Sequence, residues 1–210
     1  MYQGRIFLAA AFFLLLSSPS FAGLTFSAGN NPQPDEENIL LTSGDSGTVI
    51  SGTTNQTGAA VDFSSTTDTL VVPSSGQARI EAADGLLNNI TITTPGGVTY
   101  MDFIGNPFNG TGTMKLTVVT DVTTYVFDPA ATLGNGQNFF TIVADGGEVI
   151  LSTTIDAAGG FADLRQPRIS GVDVPGDGTV PEPATVFLMG LACAGLAPFA
   201  LRRRAARASA

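Results

Sequence analysis

Apolar and polar positions follow three different patterns along the chain. From Ile6 to Leu16 the residues are apolar without a break, behind the positive charge of Arg5 and ahead of the small and polar stretch Ser17 to Ala22. That order is the n-region, h-region and c-region of a secretory signal, and its Ser-Phe-Ala exit places cleavage between Ala22 and Gly23. The run is too short to serve as a retained anchor. From Ala184 to Leu201 a second apolar run of 18 residues carries no charge and leads directly into Arg202, Arg203 and Arg204. At 1.5 Å per residue this is about the shortest helix that crosses a bilayer. The arginines mark its cytoplasmic end.

Between these runs the period is two. Asn89 to Thr93, Met114 to Val118 and Glu148 to Ile155 each alternate polar and apolar residues, which gives a strand one inward face, and no long stretch shows helical spacing. Turn residues separate them at Pro95-Gly96-Gly97, Asn109-Gly110, Asn135-Gly136 and Asp145-Gly146-Gly147. The last of these predicts a hairpin that joins Asn138 to Ala144 with Glu148 to Ile155, because its glycines accept positive φ. Upstream, Gly29 to Asn38 is a polar, proline-bearing approach, and Ser43 to Thr69 reads as strands joined by loops. Pro73 to Gln77 breaks the pattern and Ala78 to Ala82 resumes it. The fold class predicted is mainly β, an antiparallel, jelly-roll-like β-sandwich of two packed sheets.

The expected organisation is therefore a signal peptide at 1–22, an exported β domain at 23–172, a Pro/Gly/Asp linker at 173–183, a transmembrane helix at 184–201 and a basic cytoplasmic tail at 202–210. Charge sharpens this division. The whole chain carries −9, but Leu24 to Pro181 holds 17 acidic residues against only Arg79, Lys115, Arg165 and Arg168, a net −13. So acidic a domain is a poor partner for nucleic acid or an anionic membrane surface. The single cysteine, Cys193, lies in the second apolar run, so the exported part has no disulfide and relies on its core.

The chain has no histidine, and its exported part has no cysteine, which removes His-based triads, thiol nucleophiles and the usual zinc sites. A glycosidase pair of carboxylates needs a separation in space that sequence does not give. The expectation is a protein without enzymatic activity or cofactor. Calcium is the one small partner with suitable ligands, in the oxygen-rich stretches Asn38 to Asp45 and Asp173 to Asp177, but no Asp-x-Asp-x-Asp-Gly loop is present and solvated turns are the plainer reading. Arg165 and Arg168, close to Asp163, read as a surface ion pair and strand-edge charges. A sugar-binding platform would need flat aromatics; there is no tryptophan, only Tyr100 and Tyr125 follow the signal, and Phe103, Phe127, Phe139 and Phe140 suit a core.

The C-terminal order of a Val180-Pro181-Glu182-Pro183 box, a short apolar run and the arginines at 202 to 204 resembles the PEP-CTERM sorting signal of Gram-negative bacteria. The resemblance covers about the last 30 residues. It implies recognition and cleavage by an exosortase, export through the Sec machinery and a transient stay in the inner membrane. Delivery to the cell surface or extracellular matrix follows, where extracellular polysaccharide is a further partner; a carbohydrate- or calcium-binding adhesin is the alternative. Leu133 to Phe140 and Phe161 to Gly171 are similar to recurrent elements of exported bacterial β domains with this tail, the first leading into a core strand and the second supplying the closing strand.

Overall fold

A computed structural model describes residues 23–175 of the 210. Within them lie β1 (Gly23–Ala28), β2 (Glu37–Leu41), β3 (Ser46–Gly47), β4 (Val49–Thr54), β5 (Ala60–Ser64), β6 (Leu70–Val71), β7 (Gly76–Gln77), β8 (Arg79–Ala82), β9 (Leu87–Thr93), β10 (Asp102–Phe108), β11 (Thr113–Thr120), β12 (Thr124–Thr132), β13 (Phe140–Asp145), β14 (Ile150–Phe161) and β15 (Asp163–Ser170). Where the sequence alternates, the burial does too. In β11, Met114, Leu116, Val118 and Thr120 are buried while Lys115, Thr117 and Val119 are half-exposed. No helix among the described residues is long and apolar enough to cross a membrane; the predicted signal at 1–22 and helix at 184–201 lie outside them.

Every pairing is antiparallel, as predicted, and the strands run in the order β1-β13-β10-β15-β2-β4-β5-β9-β14-β11-β12. Instead of two separate sheets they make one continuous ladder, because β2 serves both layers. Its first half, Glu37 and Asn38, pairs with β15, and its second half, Ile39 and Leu40, pairs with β4. The ladder curls until its ends face each other in a nearly closed, barrel-like sheet. Phe26 of β1 and Phe127 of β12 meet there with ring centroids 5.5 Å apart.

The enclosed core holds Phe63, Tyr100, Phe103, Phe140 and Phe161 with the isoleucines and leucines that alternate into it, all buried. Each such side chain contributes about 1.5–3 kcal/mol of transfer free energy. This is the anchor that a domain without disulfides needs. Where β14 passes the β10–β11 loop it bulges at Gly159 and Gly160, and the register against β9 shifts between Asp156 and Phe161. A Cβ on Gly159 would lie 2.3 Å from the Thr111 carbonyl oxygen, so only glycine permits this approach.

The predicted hairpin does not form. Its turn is present, with Gly146 at φ +69° and Gly147 at φ +89° and the Glu148 amide donating to the Asp145 carbonyl at 3.3 Å. But β13 lies between β1 and β10, whereas β14 lies between β9 and β11. Both edges of β13 are taken by β1 and β10, so β14 has no place beside it. After the turn the chain is held elsewhere: the buried Glu148 carboxylate accepts hydrogen bonds from Thr120, at the end of β11, and from Tyr125 of β12, and the Val149 carbonyl accepts from the Asp121 amide.

Candidate functional site

The stretch the sequence singles out leaves the domain through the end of β15. This strand is not the periphery of the sheet, since it pairs with β10, β2 and β8. Past it, the Ser170 carbonyl accepts from the Met101 amide at 2.9 Å, and Thr99 and Asp173 exchange both backbone hydrogen bonds at 3.1 and 2.9 Å. Pairing thus continues to Asp173, one residue beyond the predicted domain end at Val172. Gly171 links the two pairings at φ +60°, where a Cβ would meet the Met101 side chain at 2.8 Å. Pro175 then lies over Gly97 of the β9–β10 loop, 3.4 Å from where a Cβ would stand.

Asp102 sits beside this exit. Its Oδ2 accepts the Ser170 hydroxyl, and its buried Oδ1 has no partner. Burial, with the nearby charges of Asp145 and Glu36, holds its carboxyl above the usual range against the opposing Ser170 hydrogen bond. On the same stretch of β15, Arg168 directs Nη1 to Glu36 at 2.7 Å and Nη2 to Asn30 at 2.5 Å, and its buried Nε has no partner. The predicted closeness of Arg168 to Asp163 is therefore replaced by a bond to Glu36.

Asp163 itself departs from the expectation of a surface pair. Its side chain is only 2% exposed, because β15 runs between β8 and β10, and it is held by Arg165 Nε at 2.5 Å and by Arg79 Nη2 at 3.1 Å. Arg165 also lies over the Phe108 ring, 3.5 Å from its centroid. The Asp163 hydrogen bond raises the Arg165 pKa, so the guanidinium stays charged. Two further buried carboxylates complete the set. Glu148 is bonded as described, and Glu37 Oε2 accepts from the Gln56 and Thr57 amides and the Thr57 hydroxyl.

The other residues weighed in the sequence are accounted for in the same way. Tyr100 is fully buried against Thr153, Tyr125 donates to Glu148, Phe103 and Phe140 are core, and Phe127 and Phe139 are half-buried. In the stretch Asn38 to Asp45, Asn38 Oδ1 accepts from Gln77 and the Asp45 carbonyl accepts from the Val72 amide. Asp173 is engaged through its backbone with Thr99. Among the described residues no group of three or more acidic side chains converges as a metal site. Glu148 and Asp102 escaped sequence reading; the only signal was an acidic residue bordering a strand, which usually marks a solvated end.

The described residues form a folded antiparallel β domain, and the chain runs on from it into the stretch that the sequence marks for processing. Of the residues singled out for that processing, Gly23 is the first of β1, while Ala22, Val180, Pro181, Glu182, Pro183, Arg202, Arg203 and Arg204 lie outside the described residues. Comparison with protein families identifies the segment: residues 179–204 match the PEP-CTERM protein-sorting motif. The match spans the box, the apolar run and all three arginines. The chain thus carries a PEP-CTERM signal, which implies recognition by an exosortase and sorting to the cell surface. No curated protein and no solved structure matches the chain.

Proposed function

We propose that this is a non-enzymatic surface protein that an exosortase installs. The signal at 1–22 directs it to the Sec machinery, the helix at 184–201 holds it briefly in the inner membrane, and cleavage near Val180 to Pro183 delivers the β domain to the cell surface or extracellular matrix. There it associates with exopolysaccharide in a biofilm, and it needs no cofactor. We read the nearly closed sheet as a jelly-roll-like sandwich whose layers are joined through β2. The observation that carries the reading is the sorting match at residues 179–204.

The box has a physical logic. Pro181 and Pro183 disfavour helix in the residues before them, which on this reading suits the box to the grip of a processing enzyme. Glu182 places a carboxylate between them, close to the start of the apolar helix, where the helix dipole favours negative charge. Glu182→Ala should abolish processing and leave membrane insertion intact, because the apolar run and arginines that set orientation are untouched. An immunoblot of cell and medium fractions from an exosortase-bearing host tests this. Trimming and release of the variant like the unaltered chain would reduce the box to a linker.

A further inference from the structure

We propose that Asp102 is a proton-operated latch on the C-terminal end of the domain. With its carboxyl protonated, the Ser170 to Asp173 end is held firmly against β10 and the Thr99 strand end; with it ionised, that end loosens. Four observations converge on this. Asp102 stands in the ladder directly opposite Ser170 on one side and Val143 on the other, so its backbone is fixed on both edges and its side chain is set beside that of Ser170. One carboxylate oxygen has a single donor, the Ser170 hydroxyl, and the other is buried without any. Among the described residues the charged groups around it are Asp145, which ends β13, Glu36 of the β1–β2 loop, both negative, and the Arg168 guanidinium of β15, which is bonded to Glu36 and Asn30 and keeps its buried Nε without a partner. And the residue it grips, Ser170, is the last of β15, from which the chain passes through the Thr99–Asp173 pairing toward the sorting motif.

A buried carboxylate oxygen without a donor carries the full cost of its lost hydration when charged, and much less when protonated. The direction follows. A carboxyl held above its unfolded value, near 3.9, contributes its full share of stability below that value and loses it as pH rises through the folded one. Acid therefore tightens this corner, opposite to the usual behaviour of a paired carboxylate. The Ser170 hydroxyl partly counters the effect, because it favours the charged form.

Hydrogen exchange of the full chain reads the latch directly. The Met101 amide, bonded to Ser170, and the Asp173 amide, bonded to Thr99, should lose protection severalfold relative to intrinsic rates as pH rises from the ordinary carboxylate value through the raised one. Amides in the β11–β14 ladder, remote from Asp102, serve as the reference and should keep theirs. Asp102→Asn should flatten the response at Met101 and Asp173. Ser170→Ala, which removes the lone donor, should move the loss to higher pH. A response in Asp102→Asn like that of the unaltered chain would overturn the proposal, as would protection of Met101 and Asp173 that does not change with pH. Should Asp102→Asn fail to fold, the direction of the Ser170→Ala shift decides: no shift, or a shift to lower pH, rejects the latch.

Discussion

Phe26 and Phe127 close by side-chain contact a sheet that backbone hydrogen bonds leave open. Their rings lie 5.5 Å apart, and Phe26 also stacks on Phe140 at 6.1 Å, so the two ends of the ladder are joined through the aromatic part of the core. Neither ring alone holds the seam. Phe26→Ala and Phe127→Ala should each destabilise the domain, and a double-mutant cycle in denaturant should return a coupling of about 0.5–1.5 kcal/mol. Strict additivity would mean that the strands meet there without supporting each other.

Glu148 ties the chain after the Asp145-Gly146-Gly147 turn to the β11–β12 corner, and Glu148→Gln should cost about 1–3 kcal/mol because one of the two hydroxyls then meets a donor in place of an acceptor. The substitution also has an optical signature. Tyr125 is raised above the ordinary tyrosine value by desolvation and by the hydrogen bond and charge of Glu148. A neutral residue at 148 removes the last two causes, so phenolate absorbance should develop at lower pH in Glu148→Gln than in the unaltered chain. An unchanged titration curve would contradict the bond.

The Asp163 cluster is expected to be less costly than a fully buried ion pair. Arg79 and Arg165 are 41% and 31% exposed and can turn to water when their partner is removed. Asp163→Asn should therefore destabilise by about 1–3 kcal/mol, measured as a shift in denaturant midpoint at constant slope. Arg165→Lys should recover little, since an ammonium reproduces neither the two-pronged contact with Asp163 nor the flat contact over Phe108.

Glycines at the β14 bulge and in the hairpin-like turns should respond differently to a methyl group. Gly159→Ala drives Cβ into a backbone carbonyl that cannot rotate away and should cost about 1–3 kcal/mol or more. Gly136→Ala meets open space and costs only the strain of its φ of +86°, about 1 kcal/mol. Thermal melts of the two variants should rank in that order; the reverse order would mean that the bulge relaxes easily.

Residues 24–172, expressed alone, should be soluble, rich in β structure by circular dichroism and indifferent to reductant, because the core of Phe63, Tyr100, Phe103, Phe140 and Phe161 lies within them and Cys193 does not. Extension to Pro175 should raise the stability by restoring the Thr99–Asp173 pairing. A random-coil spectrum would refute the domain boundaries.

Sequence revealed what is local and missed what depends on distant partners. Alternation in Asn89 to Thr93 and Met114 to Val118 marked β9 and β11, because a strand with one buried face writes its orientation into every second residue. The glycines at 146 and 147 marked a turn, since positive φ is a property of those residues. Which strands the turn joins was not local. Both edges of β13 are taken by β1 and β10, and the residue that follows the turn, Glu148, is bonded to Thr120 and Tyr125; all of these partners come from elsewhere in the chain. The two-residue strands β3, β6 and β7 are too short to show a period at all. The sorting segment was legible for the opposite reason, as its box, run and arginines carry their meaning in order and spacing.

The position of β15 between β10, β2 and β8 also sets a timetable. Glu36 waits for Arg168 across 132 residues, and β2, β8 and β10 keep unpaired edges until the final strand arrives. Sheets assembled from such distant segments form slowly, in milliseconds to seconds, because loop closure comes before its reward. This part of the sheet therefore stays open until the segment Asp163–Ser170 is free to pair. The strand that finishes the sheet is the one nearest in sequence to the sorting motif at residues 179–204, so the segment that completes the fold and the segment that addresses it are neighbours in the chain.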